Sequence, residues 1–162
     1  MGVEIEHKYL VKPDWRSIIY MAGAISGNHV VQGYLSVDPE RTVRVRINRM
    51  GGFICVKGKT TGCTRDEYEY QIPINDADSM IRTVSKHTVR KMRHSFNVHW
   101  GGVTSIWIID EFLGDNQGLC IAELELLDAA DKYYKPEWLD REVTGDPKYY
   151  NSNLAQKPYS TW

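Results

Sequence analysis

The sequence lacks several features that would assign a function directly. Its three cysteines, Cys55, Cys63 and Cys120, are too few and too widely spaced for a disulfide framework or a CxxC zinc site. No apolar run is long enough to cross a membrane as a helix. There is no Rossmann or P-loop glycine motif, and Gly51-Gly52 and Gly101-Gly102 are typical of hairpin turns.

An excess of charge of either sign is also missing. The 20 lysines and arginines nearly balance the 21 aspartates and glutamates, which gives a net charge of -1. A nonspecific nucleic-acid binder is basic overall, so this balance argues against such a partner. Because the N-terminus shows no secretory pattern, we expect a cytoplasmic protein with reduced thiols and no membrane partner. The absence of repeats and long linkers over 162 residues predicts one domain spanning residues 1–162.

The sequence does contain a series of segments in which polar and apolar residues alternate, as they do in β-strands. Strands are predicted at residues 3–11, 29–37, 42–48, 53–59, 65–74, 87–98, 103–113 and 119–127. A first helix is predicted at 14–22 and ends at the glycine-containing segment 23–27. A second helix is predicted from a cap at Asn75 or Asp76 to residue 84, and further helices around 136–139 and 147–155. Because short hairpins join most neighbouring strands, we expect an α+β fold: an eight-stranded antiparallel closed β-barrel with short covering helices.

Long charged side chains occupy one face of strand after strand. Glu4, Glu6 and Lys8 share a face of the first strand, because side chains of a strand alternate between its two faces. Later strands repeat the pattern with Arg44 and Arg46, Lys57 and Lys59, Arg65 with Glu67 and Glu69, Lys91 and Arg93, and Glu123 and Glu125. An open sheet with one solvated face explains the alternation. It does not explain why acidic and basic pairs fall on different strands.

A closed barrel with the charged face turned inward explains both observations. Unpaired buried charges are very costly, so such a lining indicates a tunnel that holds water, ions and a multiply charged ligand. The basic side chains suit a chain of phosphates, namely Lys8, Arg44, Arg46, Lys57, Lys91 and Arg93. The acidic side chains suit Mg²⁺ or Mn²⁺, which take oxygen ligands, namely Glu4, Glu6, Glu123 and Glu125.

These residues, in this order, resemble the CYTH superfamily, the triphosphate tunnel metalloenzymes. Glu4, Glu6 and Lys8 match its opening ExExK signature. The later matches are Arg44-Val-Arg46, Ile54-Cys-Val-Lys57-Gly58, Arg65-Asp-Glu67-Tyr-Glu69, Lys91-Met-Arg93, Asp110 within Trp107-Ile-Ile-Asp-Glu-Phe112, and Glu123-Leu-Glu125. Gln32-Gly33-Tyr34-Leu35 and the tail at 143–155 are similar to the short bacterial inorganic triphosphatases.

The resemblance implies a metal-dependent hydrolase of a small-molecule triphosphate, with inorganic triphosphate as the expected substrate. It adds Asp110 to the expected metal ligands, although strand parity alone leaves Asp110 and Glu111 open. It also implies phosphate contacts for Lys59 and Arg65.

Three residues are assigned to the catalytic group. Lys8 is expected to be a phosphate ligand, with a proton-carrier role as the alternative. Glu67 and Glu69 either stand near the attacking water or hold the arginines in place, and the sequence favours the second role.

Other functions remain open. The same tunnel supports adenylate cyclase and thiamine triphosphatase activity within the superfamily. His94-Ser95 follows Arg93, where the cyclase branch is expected to have a His-Phe pair, and this difference argues against a cyclase. A noncatalytic module that binds polyphosphate or nucleotides is an alternative of a different class, but such a module would not need the complete acidic set.

Overall fold

A computed structural model describes residues 2–21 and 27–162, which form a closed antiparallel barrel. The strand order is β5-β4-β3-β2-β6-β7-β8-β1, and β1 also pairs with β5, which closes the sheet. The barrel strands are β1 (Gly2–Val11), β2 (Asn28–Ser36), β3 (Arg41–Asn48), β4 (Gly51–Gly58), β5 (Thr64–Ile72), β6 (His87–Trp100), β7 (Val103–Leu113) and β8 (Cys120–Leu126). The predicted eight-stranded antiparallel barrel is confirmed.

Strand β1 has two partners on the same edge. Residues 2–5 pair with β5, whereas Tyr9 and Val11 pair with a ninth strand, β9 (Leu139–Glu142). The helix predicted around 136–139 is wrong, because a turn joins the Leu139 N–H to the Pro136 carbonyl at 3.1 Å and leads into β9. The physical reason is that the edge of β1 beyond β5 would otherwise leave backbone groups unpaired.

The described residues form three α-helices. They are α1 (Trp15–Met21), α2 (Ile74–Thr83) and α3 (Asn151–Leu154). Helix α1 lies within the predicted 14–22, while most of the predicted glycine break at 23–27 lies outside the described residues. The predicted side-chain cap of α2 at Asn75 or Asp76 is wrong, because Pro73 precedes the helix and its carbonyl accepts the first backbone hydrogen bonds. None of the described helices is long and apolar enough to span a membrane.

Two apolar clusters lie on either side of the barrel wall. The first covers the outside of β1, β6, β7 and β8, and contains Tyr9, Trp15, Phe96, Trp107, Ile109, Ala122, Leu124, Trp138 and Leu139. The second fills one end of the barrel beneath the C-terminal tail, and contains Tyr34, Val89, Phe112, Leu119, Ile121, Val143, Tyr149 and Leu154. The charged interior is therefore bounded by apolar packing at the end that carries the tail.

We expect the packing of the tail to contribute strongly to stability. Leu154 is fully buried in the second cluster, and Leu154→Ala should lower the free energy of unfolding by about 2–5 kcal/mol, because it removes buried methyl groups and leaves a cavity. Leu127→Ala is the matched control, since Leu127 is 99% exposed and should change the same quantity by less than about 0.5 kcal/mol. Urea denaturation measures both. Equal effects for the two variants would contradict the packing described.

Candidate functional site

Strand register directs the charged side chains of neighbouring strands toward one another inside the barrel. Lys8 is paired with Glu123 and Glu6 with Glu125 between β1 and β8, while Glu4 faces Arg65 of β5. In the described residues, seven acidic and seven basic side chains of the predicted site share the inward-facing parity. They are Glu4, Glu6, Glu67, Glu69, Asp110, Glu123 and Glu125, and Lys8, Arg44, Arg46, Lys57, Arg65, Lys91 and Arg93.

Most of these side chains line one cavity of about 440 Å³. The charged residues of its wall are Glu4, Glu6, Lys8, Arg44, Arg46, Lys57, Arg65, Glu67, Glu69, Arg93, Glu123 and Glu125. A smaller chamber of about 40 Å³ adjoins it and shares Glu4, Glu6 and Lys8 with it. Tyr34 and the tail residue Asn151 also line the smaller chamber. The cavity therefore continues toward the tail as a narrow space.

Two glutamates of β1 and β8 are held by cations. The Lys8 ammonium lies 2.6 Å from a carboxylate oxygen of Glu123, and Arg93 donates to the other oxygen at 2.8 Å. Burial opposes the ionisation of Glu123, but Lys8, Lys91 and Arg93 outweigh it and hold its pKa well below the usual range. Glu4 accepts hydrogen bonds from Lys57 at 2.8 and 2.9 Å and from Arg65. Burial is likewise outweighed there, and the pKa of Glu4 is lowered.

The other two glutamates of this wall carry negative charge that is less well balanced. Burial and then the neighbouring Glu123 raise the pKa of Glu6, despite the Lys8 ammonium 2.6 Å away. Burial and then Glu4 and Glu67 raise the pKa of Glu125. A divalent cation fits this wall by its donor chemistry, because four carboxylates line it and carboxylate oxygens are the ligands that Mg²⁺ and Mn²⁺ prefer. Among the described residues, no three of these four glutamates have ligand atoms within 4.8 Å of one another.

The opposite wall pairs glutamates of β5 with cations of β3 and β4. Arg46 donates to Glu69 at 2.7 Å, and the Lys57 ammonium lies 3.1 Å from Glu67. The Cys55 thiol also donates to Glu67 at 2.9 Å, and burial is the main reason that its pKa rises to about 11. Ligand atoms of Cys55, Glu67 and Glu69 lie within 4.8 Å of one another. A thiol is a poorer ligand than a carboxylate for Mg²⁺, so the four-glutamate wall suits that ion better.

Asp110 and Lys91 form a buried pair inside the barrel that lines neither cavity. Both side chains are 0% exposed, and Asp110 accepts from Lys91 and, at 2.7 Å each, from two nitrogens of Arg93. Burial lowers the pKa of Lys91 to about 8, although Asp110 opposes the shift. The register settles which acid of β7 faces inward. Asp110 does, whereas Glu111 lies on the outer face against Arg16 and His94.

One predicted site residue is not brought to the others. The Lys59 side chain is 67% exposed and pairs with Glu40 at 2.8 Å, outside the residues that line either cavity. Lys59 has the parity of Lys57, but β4 ends at Gly58, so alternation no longer fixes the direction of its side chain. Its predicted phosphate contact has no support in this geometry.

Sequence reasoning assigned no role to Gln32, which is one of two β2 side chains that hold Arg44. Gln32 is buried and accepts a hydrogen bond from Arg44 at 2.9 Å, and the Tyr34 hydroxyl interacts with the same guanidinium. Burial raises the pKa of Tyr34 to about 12, so the phenol stays protonated. Strand alternation could have indicated this contact, because Gln32 and Tyr34 share one face of β2 and lie opposite Arg46 and Arg44 of β3.

Comparison with known proteins gives relatives that match over nearly the whole chain. An inorganic triphosphatase from Acetivibrio thermocellus is 43% identical and covers 100% of this chain and 99% of its own length. An inorganic triphosphatase from Nitrosomonas europaea is 32% identical and covers 94% of this chain and 96% of its own. No family model matches the sequence.

Solved structures agree with these relatives. The crystal structure of an inorganic triphosphatase superposes with a TM-score of 0.63 at 29% identity, covering 94% of this chain and 93% of that one. A putative adenylyl cyclase from Hippeastrum, described as having a dominant triphosphatase activity, has a TM-score of 0.57, covering 79% of this chain and 80% of its own. At 12% identity it supports the fold alone. With full-length relatives at 43% and 32% identity and the same barrel, the chain belongs to the inorganic triphosphatase family of tunnel enzymes.

Proposed function

We propose that this chain hydrolyses inorganic triphosphate to pyrophosphate and phosphate with Mg²⁺ or Mn²⁺, as a single domain of 162 residues. The observation that carries the proposal is the 440 Å³ cavity, in which a wall of four glutamates faces basic residues from several strands. A chain of phosphates needs positive charge along its length. A divalent metal needs oxygen ligands beside that chain. The names of the two curated relatives support the same substrate.

The basic side chains would bind and align the phosphate chain. Phosphoryl transfer depends mainly on positioning and on neutralising charge, rather than on covalent chemistry by the protein. The cations that line the cavity and can reach a ligand there are Lys8, Arg44, Arg46, Lys57, Arg65 and Arg93. Lys91 is fully buried and lines neither cavity, so we propose that it acts by holding Asp110. Its role as a phosphate ligand stays a prediction.

Four glutamates would hold the metal, namely Glu4, Glu6, Glu123 and Glu125. When bound, the metal supplies positive charge to phosphate oxygens and activates water. The role of Asp110 as a metal ligand stays a prediction. To contact a metal in the cavity, Asp110 would have to release Lys91 or Arg93. Glu67 and Glu69 hold Arg46, Lys57 and, at 3.7 to 3.9 Å, Arg44, which supports a pairing role ahead of a role as general base.

Removing one cavity carboxylate should abolish turnover without unfolding the protein. Glu123→Gln removes a predicted metal ligand, and phosphate release from triphosphate with Mg²⁺ should fall by about a hundredfold or more. Glu111→Gln is the matched control, because Glu111 lies on an adjacent strand but faces outward. It should keep nearly full activity. Circular dichroism checks that both variants fold, and a folded Glu123→Gln variant with normal turnover would contradict the assignment.

A substrate panel separates the activities that share this tunnel. With Mg²⁺, inorganic triphosphate should be hydrolysed faster than ATP or thiamine triphosphate, and chelation by EDTA should stop the reaction until metal is restored. The cavity wall offers charges that suit a phosphate chain. Among the described residues that line it, the only aromatic rings that could stack on a nucleobase or on thiamine are Tyr34 and Tyr150 of the smaller chamber. Product analysis tests the rivals. Pyrophosphate with cyclic AMP from ATP would establish a cyclase, and tight binding without turnover would establish a noncatalytic binding module.

A further inference from the structure

Two lysine ammonium groups each lie between two carboxylates in the cavity. The Lys8 nitrogen is 2.6 Å from Glu6 and 2.6 Å from Glu123. The Lys57 nitrogen is 2.8 Å from Glu4 and 3.1 Å from Glu67. Both lysines are buried, at 7% and 4% exposure. A bound divalent metal would also join two carboxylates. A metal would therefore have to compete with each ammonium for the same pair of carboxylates.

The binding of a metal alone is therefore opposed by the free energy needed to separate a lysine from its carboxylates. A metal that takes Glu6 and Glu123 removes both carboxylate partners of the Lys8 ammonium, which is buried. Leaving a buried charge without its partner is strongly unfavourable. The same holds for Lys57 when Glu4 turns to a metal, although Glu67 still remains as a partner. The binding of an anion alone is opposed in the same way, because it draws the lysines away from the glutamates and leaves these buried carboxylates without their partners.

We propose that Lys8 and Lys57 are internal counter-ions, which hold the carboxylates that a metal would bind and move to phosphate oxygens when metal enters. Metal and triphosphate then bind cooperatively, because each provides the partner that the other displaces. This inference rests on the proposed function, since it assumes a metal and a phosphate chain in the same cavity. It goes further, because the protein is then expected to bind metal or triphosphate only weakly when the other is absent.

The lysines are the groups best suited to this exchange. A lysine ammonium is a point charge on a flexible stem, whereas an arginine fork loses two aligned hydrogen bonds when it moves. Arg93 illustrates the difference, because it holds Asp110 with two nitrogens at 2.7 Å. Both lysines line the larger cavity, which is where a phosphate chain would lie. We expect Arg93 to keep its two hydrogen bonds to Asp110 during this exchange.

Thermodynamic linkage makes the coupling reciprocal. If triphosphate raises the affinity for metal by some factor, metal raises the affinity for triphosphate by the same factor. Couplings between binding sites are commonly about 5- to 150-fold. A variant that lacks one of these lysines should already bind metal more tightly when no phosphate is present, because no ammonium competes for the carboxylates. A lysine substitution that weakens phosphate binding should therefore strengthen metal binding, whereas a merely structural lysine would weaken both.

The test measures Mn²⁺ binding to the full chain with no phosphate present, at pH 8, by titration calorimetry and by the paramagnetic resonance signal of free Mn²⁺. Lys8→Met and Lys57→Met should each bind Mn²⁺ at least about fivefold more tightly than the unsubstituted chain. Lys59→Met is the matched control, because it removes the same charge from an exposed side chain outside the cavity. Its Mn²⁺ affinity should stay unchanged. If both cavity variants fold and bind Mn²⁺ no more tightly than the control, the proposal is wrong.

A thermal-shift measurement covers the case in which a cavity variant is unstable. Lys8→Met leaves Glu6 and Glu123 without their ammonium, so its melting temperature should fall. Added Mn²⁺ should then raise it by more than it raises that of the unsubstituted chain. The unsubstituted chain should bind imidotriphosphate more tightly with Mn²⁺ than with EDTA. Equal binding in the two conditions would overturn the cooperativity. Both results are independent of turnover, so a chain that lacks hydrolysis would refute the proposed function without deciding this inference.

Discussion

Mutual neutralisation of charge inside the barrel is the constraint on which the rest of the structure depends. Seven acidic and seven basic side chains share the inward-facing parity of a closed wall, where an unpaired charge would be very costly. Most of these charged residues therefore meet an opposite charge on a neighbouring strand. Glu4 shows this, since its partner Arg65 lies on β5 and its partner Lys57 on β4. The ion pairs and the closure of the sheet depend on each other.

Closure at the junction of β1 and β5 is what makes one cavity out of two half-sites. The short pairing of residues 2–5 with β5 brings Glu4 beside the basic wall, and the longer pairing with β8 brings Glu6 and Lys8 beside Glu123. Without the junction, the glutamates of β8 and the cations of β3 to β5 would belong to opposite ends of an open sheet. Strand β9 pairs with the same edge of β1 further along, at Tyr9 and Val11.

The sequence could predict the wall but not its ends. Alternation fixes which residues share a face, so the barrel and most charged positions, such as Arg44, Arg46 and Glu123, followed from parity. Alternation fails where a strand stops, as at Lys59 beyond the end of β4. It also leaves Asp110 and Glu111 undecided until the pairing of β7 with β6 is known. Strand β9 could not be predicted from its own four residues, because its pairing depends on an edge of β1 that only the closed barrel creates.

The distribution of arginine and lysine within the cavity divides fixed contacts from exchangeable ones. Arg93 binds Asp110 through two nitrogens and also reaches Glu123, so it links β6, β7 and β8 in a defined geometry. Lys8 and Lys57 instead make short contacts through single nitrogens, and both residues line the cavity. A tunnel built from arginines alone would be more rigid and would release its carboxylates less readily. A tunnel built from lysines alone would lack the forked contacts that hold the wall. The combination gives a neutral, ordered cavity whose carboxylates can still be freed.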